Sequence, residues 1–237
     1  MTANAGFLRE RDAHALEEMD LPGCDPARLD RTYAQFSVVN RAVAGWRGIY
    51  RTHLRPVLSA TTVTTLLDIG CGGGDVAILL AAWAQRDRLR LEITAVDPDR
   101  RAFEFAGRRK HTRDVTFRQA STAELAAEGL RFDVVISNHV LHHLDAAGLP
   151  QFLAESALLC SGTAIHNDIR RSPAAYALFY AASWAFPGSY IRADGLTSIR
   201  RSYTTAELRA ATPPGWAVAR RSPFRNLLTL NRNPGGD

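Results

Sequence analysis

Leu66 to Asp75 reads LLDIGCGGGD: an apolar run carrying one carboxylate, then glycine at four of five consecutive positions, then another carboxylate. Followed by the helical text DVAILLAAWAQ, this stretch predicts a strand, a tight loop and a helix in that order. Glycines at such a loop permit positive φ and bring backbone N–H groups against a ligand with no side chain between. The helix N-terminus adds a partial positive charge at the same place. The stretch therefore predicts a parallel α/β sheet with a ligand above its first strand.

The rest of the chain repeats the pattern. After about residue 61, short apolar runs alternate with helical ones: TTLLDIG and DVAILLAAWAQ, LEITAVD and DRRAFEFAGRR, VTFRQ and TAELAAE, FDVVISN and AGLPQFLAESALL, then GTAIHND. Runs apolar on both faces imply a parallel sheet covered by helices on each side. Residues 7–57 read as amphipathic helices with an Asp25-Pro26 start, and Pro56 ends them. Beyond Asp168 we expect a helix over 173–186, a loop through SYIRADGLTSIRRSY and a helix at TTAELRAA. An antiparallel hairpin made by WAVARRSPF and NLLTLNR is expected at the sheet edge, then a frayed NPGGD end. These boundaries give one domain in four parts: a helical cap (1–60), a cofactor-binding core (61–168), an acceptor-side insertion (169–212) and a terminal hairpin (213–237).

The loop's chemistry narrows the ligand. A dinucleotide fingerprint is G-x-G-x-x-G, but counting from Gly70 gives G-C-G-G-G-D, with Asp75 where the third glycine belongs. A carboxylate there repels a pyrophosphate, which counts against a nucleotide-dependent oxidoreductase. Asp68 suits a cationic amino group better than a phosphate. Asp97, closing LEITAVD, stands at the spacing of a carboxylate that binds both ribose hydroxyls; its other reading is a helix N-cap in Asp97-Pro98-Asp99, and the two roles are compatible.

D-x-G-x-G-x-G followed by V-D-P-D resembles the first two motifs of the class I S-adenosylmethionine-dependent methyltransferases. TFRQASTAEL is similar to their adenine-contacting segment, and FDVVISNHVLHHL to the strand-four motif of the small-molecule branch that includes quinone-biosynthesis enzymes. The resemblance implies a Rossmann-like, doubly wound sheet of seven strands, the last antiparallel, and S-adenosyl-L-methionine as cofactor. It assigns cofactor contacts to Asp68, Gly70, Cys71, Gly72, Gly74, Asp97, Pro98, Ser121, Thr122 and Asn138. One departure stands out: where the family commonly carries an acid for the adenine amino group, this chain has Ala120 and Ser121. DPARLDRTYAQFSVVNR, HNDIRRS and DGLTSIRRSYT look like a bacterial subgroup associated with type III polyketide synthases. That likeness implies O-methylation of a phenolic, quinone-like or lipid hydroxyl, with C- or N-methylation of a small molecule as the alternative.

Titratable groups cluster at strand ends. His139 and His142 follow strand four, and His166 lies two residues before Asp168 in strand five; all three histidines are candidate bases, with His139 foremost. His142 and His143 also suit packing and helix capping, and His139, His142, His166 and Asp168 are candidate metal ligands that lack an H-x-E or C-x-x-C anchor. Tyr176, Phe179, Tyr180, Ser183, Trp184 and Pro187 recur at helical spacing, as either a pocket wall or core. Arg201 and Tyr203 are candidate contacts to an anionic or phenolic acceptor.

Composition excludes other classes. The net charge of +5 rests on scattered arginine pairs without an aromatic-rich nucleic-acid motif, so a small-molecule partner is expected rather than nucleic acid. No N-P-P-Y follows strand four, against methylation of protein or RNA. Cys24, Cys71 and Cys160 are odd in number and widely spaced, as reduced thiols are. With no apolar block at the start and none long enough to span a bilayer, a soluble cytoplasmic protein is expected.

Overall fold

A computed structural model of the protein describes residues 8–232, apart from the side chains of Ala42 and Val43. The NPGGD end, expected to fray, lies outside the described residues. Two helices come first: α1 (Pro26–Val43) and α2 (Trp46–Ile49), the latter continuing through a π-helical turn at Tyr50–Leu54 and a 3-10 turn at Arg55–Val57. The alternating core follows, with β1 (Thr64–Ile69), α3 (Asp75–Arg86), β2 (Leu91–Asp97), α4 (Arg100–Gly107), β3 (Val115–Gln119), α5 (Thr122–Ala127), β4 (Phe132–Asn138), α6 (Gly148–Leu159) and β5 (Cys160–Ile169). Then come α7 (Pro173–Ala182), α8 (Ile191–Arg201), α9 (Thr205–Ala211), β6 (Trp216–Arg221) and β7 (Arg225–Asn231).

The seven strands form one sheet in the order β3-β2-β1-β4-β5-β7-β6. Neighbours among β1 to β5 are parallel, whereas β7 runs antiparallel to both β5 and β6. The order reverses at β1, so the glycine loop opens at the switch point where ligands of such sheets gather.

Adjacent strand residues point to opposite faces, and both faces are covered. Leu66, Val134, Ile136 and Leu227 pack with Trp46 and Leu80 on one side. Leu67, Val135 and Leu228 pack with Leu125, Leu149 and Leu153 on the other. Local signals fix the helix starts: the Asp25 carboxylate accepts from the Arg28 N–H ahead of Pro26. Ser121 and Thr204 each head a reciprocal capping box with Glu124 and Glu207.

Two expectations fail. Residues 8–25 are not an amphipathic helix; they run as a strap whose one regular turn is the 3-10 segment Glu18–Asp20. Tertiary bonds hold it in place of helical ones: Asp12 N–H donates to the Arg200 carbonyl, and the Asp194 carboxylate accepts from Glu18 N–H (2.7 Å) and Met19 N–H (3.0 Å). The expected loop SYIRADGLTSIRRSY is largely helix α8, which buries Ile191, Ser198 and Ile199 against the body. Burial there outweighs the weak helix propensity of its Gly, Thr and Ser. No helix among the described residues is long and apolar enough to cross a membrane.

Candidate active site

A cavity of about 430 Å³ lies over the switch point. Its floor is the glycine loop and the ends of β2 and β4; its roof is the strap, α1, α7 and α8. The loop adopts positive φ at Gly70 (66°), Gly72 (52°) and Gly74 (72°). A Cβ on Gly70 would stand 2.7 Å from Val140 Cγ2, so that position admits no side chain. Gly74 packs against the Phe117 ring at the start of α3 and is not a cavity wall.

Carboxylates dominate this end. Asp68 is buried, and its Oδ2 has no hydrogen-bond partner among the described residues. Burial, then the charges of Asp75 and Asp97, push its carboxyl well above the ordinary range. Asp75 and Asp97 are raised as well, chiefly by burial, although Asn40 on the one and the Asp99 and Gly72 amides on the other work against it. Asp97 Oδ2 accepts from Gly72 N–H at 2.8 Å and Oδ1 from Asp99 N–H at 2.9 Å, while Asp99 caps α4. Asp97 thus braces the loop and still faces the cavity. Burial also keeps the Cys71 thiol protonated. These buried acids face one space, and the Arg109 charge that lowers Asp75 does not outweigh their burial, so the site is short of positive charge.

At the other end, charges are matched. His142 Nδ1 and backbone N–H both meet the Asp168 carboxylate at 2.8 Å, and His142 Nε2 lies 3.4 Å from Glu17 Oε1. Burial disfavours a charged imidazole, but Asp168 and Glu17 outweigh it and push His142 up to about 9. Burial would likewise raise Glu17, but its bond to His142 and the histidine charges hold it down at about 2. Ser198 Oγ donates to Glu17 at 2.9 Å, and Arg201 Nη1 stands 3.6 Å from the same oxygen. Glu17, His142 and His143 offer ligand atoms within 4.8 Å of one another, yet this guanidinium already faces their carboxylate. His139, His142, His166 and Asp168, the candidate ligands by sequence, do not form that group.

His139 takes a third state. It leaves β4 with φ 62°, and Arg225 Nη1 donates to its Nε2 at 2.6 Å. A guanidinium has only donors, so this nitrogen carries a lone pair and the proton sits on Nδ1. Burial, then the Arg225 charge, hold His139 well below its ordinary value. Arg225 also donates to Asn138 Oδ1 at 3.1 Å. Asn138 Nδ2 donates to Asn40 Oδ1 at 3.2 Å, and Asn40 Nδ2 to Asp75 Oδ2 at 3.0 Å. An amide line joins the two ends.

The cavity gathers Asp68, Gly70, Cys71, Gly72, Asp97, Asn138, His139 and His142 from the residues expected by sequence. Others lie elsewhere. His166 is a core residue, its Nδ1 2.8 Å from Ser137 Oγ and its Nε2 2.9 Å from Ser156 Oγ, and burial pushes it down to about 3. With both nitrogens occupied away from the cavity, it is no base for an acceptor. His142, held as a cation between two carboxylates, has no lone pair to offer. Ser121 and Thr122 spend their hydroxyls on capping and on Glu155, and neither lines the cavity, nor does Pro98.

Of the aromatic stripe, Phe179 lines the cavity together with Ala175, Leu178 and Ala182 of α7, whereas Tyr176 and Tyr180 do not. Tyr180 and Trp184 lie outside, where Arg192 stacks on both. Arg201 and Tyr203 fasten the strap rather than face the cavity: Arg201 approaches Glu17, and Arg11 Nη1 donates to Tyr203 Oη at 2.8 Å. Sequence reading missed Glu17, Asn40 and Arg225, whose roles come only from distant contacts.

A family model described as a methyltransferase domain matches residues 66–161. The ubiquinone biosynthesis O-methyltransferase of Caulobacter vibrioides is 31% identical over 170 residues, covering 68% of this chain and 61% of that protein. The Methylocella silvestris enzyme of the same name is 38% identical over 167 residues, 69% of this chain and 52% of its own length. The chain thus spans between half and two thirds of these relatives. Among solved structures, the plantazolicin methyltransferase BpumL in complex with SAH matches at TM-score 0.58 and 13% identity, over 86% of this chain and 95% of that one. Such identity speaks to the fold alone. With the seven-stranded order and the acid-flanked glycine loop in hand, the match makes residues 66–161 of this chain a methyltransferase domain.

Proposed function

We propose that the protein transfers a methyl group from S-adenosyl-L-methionine to a small-molecule acceptor, at the oxygen of a phenolic, quinone-like or lipid hydroxyl. The orphaned Asp68 carboxylate, buried at a glycine loop that opens on a largely apolar cavity, carries this reading. The residues fit the cofactor. Asp68 and Asp75 would meet its cationic ammonium and sulfonium end, Asp97 its ribose hydroxyls, and the Gly70 to Gly73 backbone would allow close approach. When bound, the cofactor supplies an electrophilic methyl group. The chain contributes alignment and exclusion of water, and alignment of reactants is worth about 7–11 kcal/mol of barrier.

Phe36, Leu178 and Phe179 give the acceptor an apolar wall, which suits a ring or an alkyl chain. Relatives named as ubiquinone biosynthesis O-methyltransferases support oxygen as the target over carbon or nitrogen. The buried acids oppose a dinucleotide. Titration calorimetry with S-adenosylhomocysteine and with NAD tests the core of the reading: the first should bind and the second should not, and the reverse result sinks it. A mass screen for a gain of one methyl group across phenols, quinols and fatty acids then identifies the acceptor.

A further inference from the structure

Arg171, Arg201 and Arg225 are the arginines buried among the described residues. Two of them have carboxylate partners: Arg171 pairs with Glu207, and Arg201 with Glu17. Arg225 has no carboxylate within ion-pair distance among the described residues. Its partners are neutral: His139 Nε2 at 2.6 Å, Asn138 Oδ1 at 3.1 Å and Asn167 Oδ1 at 3.3 Å. These use three of the five guanidinium N–H groups. The side chain forms part of the cavity wall beside Ile169, Pro223 and Phe224. Burial lowers its pKa to about 10, with Asp168 opposing, so it is a cation at neutral pH.

A buried charge without a direct ion pair is costly, and a fixed guanidinium fork with donors to spare matches an oxyanion in geometry and sign. We infer that Arg225 is an oxyanion subsite: it takes the acceptor as its conjugate base, a phenolate, enolate or carboxylate whose proton is released to solvent on binding. His139 is then a positioning residue. Its neutral imidazole accepts from Arg225 and holds the fork toward the cavity, and no lone pair on Nε2 remains to abstract a proton. The inference rests on the methyltransferase reading and narrows its acceptor to groups acidic enough to enter as anions.

The test uses the full chain saturated with S-adenosylhomocysteine, with 4-nitrophenol at a pH where the probe is ionised, and 4-nitroanisole as its uncharged methyl ether. The wild-type protein should bind the phenolate at least about tenfold more tightly than the ether, a difference of about 1.4 kcal/mol. Arg225→Gln should abolish that preference while S-adenosylhomocysteine still binds, and Arg225→Lys should keep part of it. Equal affinity for phenolate and ether in the wild-type protein, or no phenolate binding at all, overturns the subsite even if Arg225→Gln does not fold. Failure of S-adenosylhomocysteine to bind the wild-type protein overturns the cofactor assignment instead, which separates the two readings.

Discussion

The two ends of the cavity handle buried charge in opposite ways. At the glycine loop, Asp68, Asp75 and Asp97 have their pKa values raised, and Asp68 keeps an oxygen with no partner. Under the strap, Asp168 is held well below its ordinary range and Glu17 at about 2, because His142 satisfies both despite their burial. Unmatched acids mark a place prepared for something absent from the chain. Matched charges mark a joint that holds the chain itself together.

Substitutions should divide along that line. Asp168→Ala strands a buried imidazolium and should destabilise the fold by about 3–5 kcal/mol in urea unfolding. A loss below 1 kcal/mol would mean that the joint is ornamental. Asp97→Ala should instead weaken S-adenosylhomocysteine at least about tenfold, or about 1.4 kcal/mol, with little change in unfolding midpoint. An unchanged dissociation constant would remove the ribose assignment.

The joint should also respond to alkali. Because His142 is raised from 6.5 to about 9, its contribution is complete below pH 6.5 and fades as the pH climbs through about 9. Thermal unfolding should show a midpoint drop of several degrees across that window, and His142→Gln should flatten it. A profile identical in both proteins breaks the comparison. The smallest effect is expected at Tyr180, exposed and outside the cavity: Tyr180→Ala should shift stability by no more than about 0.5 kcal/mol and leave turnover intact.

Which end could be read in advance follows from where the contacts come from. The loop's acids and glycines lie within one strand–loop–helix unit and one neighbouring strand, so LLDIGCGGGD and LEITAVD state most of the local geometry. The joint is assembled from the strap, the segment after β4, β5 and α8, and no local pattern tells His142 that Glu17 will reach it. His139 meets Arg225 across 86 residues of sequence. The sequence therefore offers all three histidines as candidate bases, His139 foremost; in the fold one is a cation, one a neutral acceptor and one a core residue. Similarly, α8 looked like a loop because its propensities are weak, and only burial of Ile191 and Ile199 makes it a helix. Of the α7 stripe only Phe179 reaches the cavity: the helix's small and aromatic residues suit either face, and packing of Phe179 against Gly195 of α8 sets which is used.

Between the two ends, Asn138 and Asn40 pass hydrogen bonds from Arg225 to Asp75, every donor pointing the same way. Carboxamides neither take up nor give away protons in the physiological range. The line is accordingly a mechanical rod with a fixed polarity: turning one amide over would set donor against donor at one contact and acceptor against acceptor at the other. Whatever occupies the acidic chamber therefore meets a guanidinium already aimed through two groups that hold their protons as the pH moves.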